Sequence, residues 1–310
     1  MNSESNPLES RIAAPGSNNP APRPLYWSVR RELWENRSIY LAPLIVSGLV
    51  LFGYAISVIG LPHRRRALLL LDPVRQRAIV EQPYDAAALM LMLTAFLVGI
   101  FYCLDALHGE RRDRSILFWK SLPVSDLTSV LAKLSVPMVI LPLITFALVE
   151  IVQVIILLIS TLTLLPFGLG ATTWERLPFF QLSIILLYGI ITSVLWAAPV
   201  YGWLLLVSGW ARRATFLWAV LPWLAVCVVE KIAFNTGYFC HLLGRRVFGS
   251  YEDAFVVAQQ VHAGGVPVVD RLTQLAPLKF LSSPGLWLGF VVAAVFLAAA
   301  VRLRRCRGPL

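Results

Sequence analysis

Six long apolar stretches constrain this chain more than any other feature. Each supplies about 20 or more residues, which is the length that a helix needs to cross the hydrocarbon core of a bilayer. Only helices and closed barrels satisfy their backbone hydrogen bonds in lipid. The pattern therefore predicts an all-α membrane protein with six transmembrane helices, over residues 39–60, 86–107, 134–165, 179–209, 214–233 and 284–303.

The composition favours the same class of protein. Hydrophobic residues make up 58% of the chain and charged residues 14%, whereas a soluble domain carries about a quarter charged residues. The net charge of +10 would suggest a nucleic-acid partner in a soluble protein. Here the basic residues lie mostly at the ends of the apolar stretches, where they face lipid headgroups. We therefore expect the lipid bilayer, and no nucleic acid, as a partner.

The distribution of Lys and Arg predicts the orientation of the chain. Basic residues are more frequent before residue 39, in 108–133, at 212–213 and after 301 than in the segments between. The positive-inside rule then places both termini in the cytoplasm, in a multi-pass protein of the plasma (inner) membrane. A run of arginines at 64–66 opposes this bias.

Three segments outside the apolar stretches have distinct predictions. Residues 1–24 are polar and rich in Ser, Asn and Pro, which predicts a disordered cytoplasmic tail. Residues 25–37 place apolar side chains at helical spacing, with Glu32 among the charged residues elsewhere, and predict a short helix in the membrane interface. The transmembrane domain extends over 38–307, and its residues 234–283 are expected to form a long outer loop.

The segment between the second and third stretches carries the most specific pattern. A charged run precedes an apolar run, and Ser125 is a predicted N-cap for the helix that follows. An apolar patch with a charged rim marks a docking surface. The alternative interpretation is a solvated, topology-setting loop with interfacial aromatics. The docking residues are predicted to be Glu110, Arg111, Arg112, Asp113, Arg114, Ser115, Ile116, Leu117, Phe118, Trp119 and Lys120.

This segment resembles the permease subunits of ABC transporters of the ABC-2 type. The likeness rests on Gly109-Glu110-Arg111, on the run from Ser115 to Leu122 and on Pro123. The predicted N-terminal helix is similar to the amphipathic elbow helix of that family. Six spans, cytoplasmic termini and a larger outer loop before the last span also fit.

The resemblance implies a function and its partners. The chain would be the membrane-spanning permease of an ATP-driven transporter, an exporter, with a coupling helix between its second and third spans. Two copies of a separate ABC ATPase would bind ATP and Mg²⁺, and a second permease copy or a homologue would complete the path. In the coupling segment, residues 116–119 would be the apolar contacts and residues 110–114 would set the register through charge pairs.

No catalytic or metal-binding motif is present in the sequence. The chain contains no GxxxxGK[ST] segment, HExxH or GxSxG, and His63, His108, His241 and His262 all lie outside the apolar stretches. Its four cysteines lack the spacing of a zinc site or a disulfide framework. We therefore expect no enzymatic activity, no metal and no cofactor in this chain.

Two polar residues inside the third stretch are candidates for the translocation path. Glu150 and Gln153 share a helical face at mid-span depth, and an ionisable group there is a functional candidate. The alternative is that they hold helices together by hydrogen bonds. Other classes of function also remain open: an ion channel or secondary transporter without an ATPase, or a membrane assembly or regulatory protein.

Overall fold

The computed structural model describes residues 24–68, 71–121, 124–170, 173–174, 177–256 and 272–306. The predicted disordered tail, except for Pro24, lies outside this part. Within it, helices form the fold, and the β-structure is limited to one isolated bridge between Phe255 and Leu275.

Six helical segments in the described part are long and apolar enough to cross a membrane, which confirms the predicted number of spans. These segments are Ser38–Leu68, Arg75–Arg112, Asp126–Phe167, Phe179–Trp210, Thr215–Phe234 and Pro284–Cys306. The individual α-helices are α1 (Pro24–Glu35), α2 (Ser38–Ser57), α3 (Leu61–Leu68), α4 (Pro73–Ala106), α5 (His108–Arg112), α6 (Ser115–Ser121), α7 (Asp126–Ser135), α8 (Leu141–Leu164), α9 (Phe179–Trp210), α10 (Thr215–Phe234), α11 (Tyr238–Phe248), α12 (Ser250–Ala254), α13 (Pro277–Ser282) and α14 (Pro284–Cys306).

Two spans begin earlier than hydropathy predicted. Helix α4 begins at Pro73 rather than near residue 86, and an i,i+4 salt bridge of 2.7 Å joins Arg77 to Glu81 in its first turns. Helix α7 continues into α8 through a π-helical segment, Val136–Ile140, that contains Pro137. Proline has no N–H to donate and its ring clashes with the preceding turn, so the helix widens locally there. Hydropathy detects only the apolar part of such helices.

The core lies between α4, α8, α9 and α14. Helices α9 and α14 approach closely because Gly202 has no side chain: a Cβ there would lie 3.3 Å from the carbonyl oxygen of Ala293. Tyr102 and Cys103 of α4 pack with Tyr201 of α9 in the largest cluster of buried side chains. Helices α2 and α10 bury much less of their surface and therefore lie at the periphery.

The described part of the segment 234–283 folds back against the bundle. Asn235 adopts the left-handed conformation and reverses the chain after α10. Glu230 then accepts hydrogen bonds from the backbone N–H groups of Tyr238 (2.7 Å) and Phe239 (2.9 Å) at the start of α11. The ring of Phe239 stacks on Trp223, with 5.7 Å between the centroids. The start of α11 thus packs against α10, and we call this pair the α10–α11 hairpin.

Arg246 of α11 anchors this segment between α9 and α14. Its Nη1 atom donates a 2.9 Å hydrogen bond to the carbonyl oxygen of Gly285. Its guanidinium lies over the ring of Trp196, 4.6 Å from the centroid. Gly289 leaves the space that the guanidinium fills, since a Cβ there would overlap it. Burial lowers the pKa of Arg246.

Candidate functional site

Side chains from four separate segments form a buried-charge cluster at one end of the bundle. The Lys133 ammonium lies 2.8 Å from a carboxylate oxygen of Glu32 and 3.2 Å from one of Glu110. The other oxygen of Glu110 accepts from Arg304, at 3.2 Å. Arg304 also donates to Asp126, at 2.7 Å. The cluster therefore joins α1, α5, α7 and α14, and it brings both ends of the described chain together.

Two further side chains complete the surroundings of Glu32. Arg31 Nη2 lies 2.7 Å from Glu32 Oε1 and 3.1 Å from Glu110 Oε1. The Tyr102 hydroxyl donates a 2.9 Å hydrogen bond to Glu32 Oε2. With these contacts the cluster contains three carboxylates, Glu32, Glu110 and Asp126, and three cations, Arg31, Lys133 and Arg304.

Local sequence explains how α7 presents its part of the cluster. Ser125 caps this helix, because its hydroxyl accepts a 3.0 Å hydrogen bond from the N–H of Thr128. The N-cap predicted from the sequence is confirmed. Asp126 then lies in the first turn, where a negative charge interacts favourably with the N-terminus of the helix, and Lys133 lies two turns later.

The balance of charge explains why these groups are stable in the interior. Burial by itself disfavours the ionised form of Glu32, but the charges and hydrogen bonds of Lys133 and Arg31 outweigh it, so that the pKa of Glu32 is lowered. Paired buried charges of this kind have a small net effect on stability. Removal of a single partner leaves an uncompensated buried charge, which costs about 3–5 kcal/mol. The cluster therefore holds its four helices together as a unit.

Helix α5 is fixed to the end of α9 by hydrogen bonds. Arg111 Nη1 donates to the carbonyl oxygens of Gly209 (2.9 Å) and Ala211 (3.4 Å). The hydroxyl of Ser208 accepts from the backbone N–H groups of Leu107 (3.0 Å) and His108 (2.9 Å). A guanidinium at a helix C-terminus satisfies carbonyl groups that have no partner within the helix. We call this set of hydrogen bonds the α5–α9 contact.

Helix α6 projects apolar side chains from the same end of the bundle. Arg114 has a positive φ of 58°, so the chain turns sharply between α5 and α6. Ile116 is buried against the protein, whereas Leu117 and Phe118 are 58% and 61% exposed. The result is a short helix with one anchored and two exposed apolar residues.

The structure places the predicted docking residues in different environments. Glu110 and Arg111 are buried and form hydrogen bonds within the chain. Ile116 is also buried, so these three residues are not on the surface. Ser115 is half-buried, with its hydroxyl 3.4 Å from the carbonyl oxygen of Glu110. The side chains of Trp119 and Lys120, and residues 122–123, lie outside the described part. The exposed residues are Arg112, Asp113, Arg114, Leu117 and Phe118.

Glu150 and Gln153 both contact neighbouring helices. Ser183 of α9 donates a 2.9 Å hydrogen bond to Glu150 Oε2. Gln153 is buried, and its side-chain amide donates to the carbonyl oxygen of Tyr84 in α4, at 3.5 Å. These bonds agree with the alternative interpretation in which the two residues join helices. The structure does not bring either residue to the buried-charge cluster.

Sequence reasoning missed most of the cluster. Glu32 appeared as one charge of an amphipathic helix, and Arg304 as one of several topology-setting arginines. Their pairing with Lys133 and Glu110 spans 101 and 194 residues respectively. No local spacing signals such distant contacts, although every member lies at or near the end of a helix.

Comparison with known proteins gives no relative for this chain. No protein-family model, curated protein or solved structure matches it. Within the described residues, no group of three or more His, Cys, Asp or Glu side chains is arranged to hold a metal ion.

Proposed function

We propose that this chain is the membrane subunit of an ATP-driven exporter, similar to the ABC-2 permeases, and that α6 docks on a separate ATPase. The observation that supports this most is that Leu117 and Phe118 are exposed on α6, while Ile116 of the same helix is buried against the protein. A soluble partner that covers them would bury two large apolar side chains beside the charges of Arg112, Asp113 and Arg114. Aromatic anchors with charged rims are typical of energetic centres in interfaces.

The buried-charge cluster supports a mechanical role for this docking. A displacement of α6 reaches α5 through the turn at Arg114. From α5 it reaches α1, α7 and α14 through Glu110, and α9 through Arg111. Breaking any of these buried contacts would cost several kcal/mol, so the helices move together. ATP-driven motion of the partner would therefore change the packing of the spans rather than distort a loop.

The remaining parts of the proposal follow from the resemblance. Two ATPase subunits would bind ATP and Mg²⁺, and a second copy of this chain or a homologue would complete the translocation path. The end that carries the buried-charge cluster would face the cytoplasm. Glu150 and Gln153 are weaker candidates for the translocation path, because both side chains already form hydrogen bonds to neighbouring helices.

Co-purification tests the docking surface directly. The solubilised protein is captured from its native membrane in mild detergent, and the eluate is analysed by mass spectrometry and for ATP hydrolysis. We expect a P-loop ATPase in the wild-type eluate and its loss from Leu117→Ala/Phe118→Ala. The matched control is Leu49→Ala/Phe52→Ala on α2, which removes the same two residue types at similar exposure, 63% and 67%.

Two results would contradict the proposal. If no ATPase accompanies the wild-type protein under mild conditions, a channel or secondary transporter becomes the better interpretation. If the ATPase is lost equally from the α6 variant and the α2 control, the partner does not recognise α6.

A further inference from the structure

The turn between α9 and α10 forms a cleft at the same end of the bundle as the buried-charge cluster. The cleft has a volume of about 640 Å³ and is lined by Trp210, Ala211, Arg212, Arg213 and Trp218. This volume lies within the range of sites that bind small molecules or headgroups, about 300–1,000 Å³. The lining combines aromatic rings with two guanidinium groups.

The aromatic part of the cleft has the chemistry of the bilayer interface. The rings of Trp210 and Trp218 meet edge to face, with centroids 4.8 Å apart, and both side chains remain partly exposed. Tryptophan is enriched at headgroup level, where its ring contacts apolar groups and its N–H contacts polar ones. Phe216 and Leu217, in the first turn of α10, are exposed beside Trp218. An amphiphile could therefore place its polar end in the cleft and its acyl chains against α10.

The polar part of the cleft is positively charged. Arg212 and Arg213 are exposed, and neither forms a salt bridge to a carboxylate in the described part of the chain. The next residue, Ala214, has a positive φ of 51°. This conformation is unfavourable for a residue with a Cβ, by about 1 kcal/mol or more, and such strain is often found at functional sites. It ends the turn sharply before α10 and leaves both guanidiniums exposed.

The cleft and the α5–α9 contact have one residue in common. Ala211 lines the cleft, and its carbonyl oxygen accepts from Arg111 and lies 3.3 Å from Nδ1 of His108. A ligand held by Arg212 would therefore lie one residue away from a backbone group that fixes α5. Ala211 is therefore common to the cleft and to the hydrogen bonds that fix α5.

We propose that this cleft binds the phosphate group of an acidic phospholipid. Guanidiniums form bidentate, charge-assisted hydrogen bonds with phosphate, and arginines at the membrane surface attract acidic lipids. The exposed Phe216 and Leu217 favour a lipid over a soluble anion, because a soluble anion gains nothing from them. This inference depends on the membrane location of the chain and not on the proposed ATPase partner.

Lipid-dependent thermal unfolding tests the site. Purified protein in a neutral detergent is titrated with phosphatidylglycerol, phosphatidylcholine or inorganic phosphate, and its Tm is recorded. We expect phosphatidylglycerol alone to raise the Tm of the wild type. In Arg212→Gln/Arg213→Gln the concentration for half the effect should rise about thirtyfold, because two arginines near the surface each contribute roughly 1 kcal/mol to acidic-lipid binding and every 1.4 kcal/mol is a factor of about ten. The control Arg37→Gln/Arg302→Gln removes two exposed charges from the same end of the bundle.

Three outcomes would overturn the proposal. The first is an equal loss in the Arg37/Arg302 control, which would indicate attraction by net charge alone. The second is an equal rise in Tm with inorganic phosphate, which would assign the cleft to soluble anions. The third is an equal response of the wild type to the neutral lipid, which would show that the guanidiniums do not select the ligand.

Discussion

Lys133 and Glu32 lie 101 residues apart in the sequence, yet the ammonium of one is 2.8 Å from the carboxylate of the other, with both side chains almost fully buried. The two residues connect the helix before the first span to the helix that leads into the third. Neither group would tolerate this environment without the other.

A double-mutant cycle measures the coupling between these two residues. Lys133→Met should lower the free energy of unfolding by about 3–5 kcal/mol, because it leaves Glu32 and Glu110 without their shared cation. The double variant Glu32→Gln/Lys133→Met should be destabilised by less than the sum of the single variants. Denaturant unfolding in detergent gives these values. The control is Lys231→Met, at an exposed position, which should change the free energy of unfolding by no more than about 0.5 kcal/mol. Additive effects of the two substitutions in the cycle would refute direct coupling.

The pH dependence of stability should reveal the ionised state of Glu32. The pKa of this carboxylate is lowered in the folded protein, so its contribution is present above the pKa of the unfolded chain and is lost as the pH falls through the folded value. The difference in Tm between wild type and Glu32→Gln should therefore be largest near neutral pH. It should decrease below about pH 4, where an unperturbed glutamate is protonated. A difference that grows on acidification would show that Glu32 is protonated in the folded state.

Substitution of one glycine should displace the anchor of α11. Gly289→Ala adds a Cβ that overlaps the Arg246 guanidinium. The arginine must then leave Trp196 and the carbonyl group of Gly285, which should cost about 1–3 kcal/mol for a charged hydrogen bond. Thermal unfolding measures the loss. Gly48→Ala in α2 is the matched control, since a Cβ there meets no atom within 4 Å, and it should be neutral or slightly stabilising.

Cysteine cross-linking tests the hairpin of α10 and α11. Cys227 lies on the same face of α10 as Trp223 and Glu230, and Cys240 directly follows Phe239, whose ring stacks on Trp223. A membrane-permeant disulfide oxidant should therefore link Cys227 to Cys240 within one chain, with two thiols lost for each disulfide formed. Peptide mapping without reductant identifies the link. Cys306, at the end of α14, is the internal control, and a link from Cys240 to Cys306 would contradict the fold.

The sequence predicted the parts of the fold that depend on short-range patterns. Apolar runs of sufficient length revealed all six spans, and the side-chain oxygen of Ser125 correctly indicated a helix start. Hydropathy did not detect the first turns of α4, because Arg77 and Glu81 satisfy each other there without contributing apolar surface. The return of the chain after Asn235, which a left-handed residue and Glu230 determine, also has no hydropathy signal.

The candidate site was predictable only in part, because burial depends on distant partners. The charged run before α6 looked like a uniform rim, yet Glu110 and Arg111 point inward while Arg112 and Asp113 remain outside. Which charges turn inward is decided by Lys133, Arg304 and the end of α9. A single sequence gives no indication that these partners lie nearby.

The contact between Arg304 and Glu110, which spans 194 residues, has a consequence for how the protein is made. During synthesis Arg304 leaves the ribosome after every other member of the cluster, so Glu110 and Asp126 lack this partner until α14 is inserted. Until then the nascent chain carries unbalanced acidic groups at the membrane surface. The cluster therefore forms late in synthesis, when α14 joins the helices that precede it.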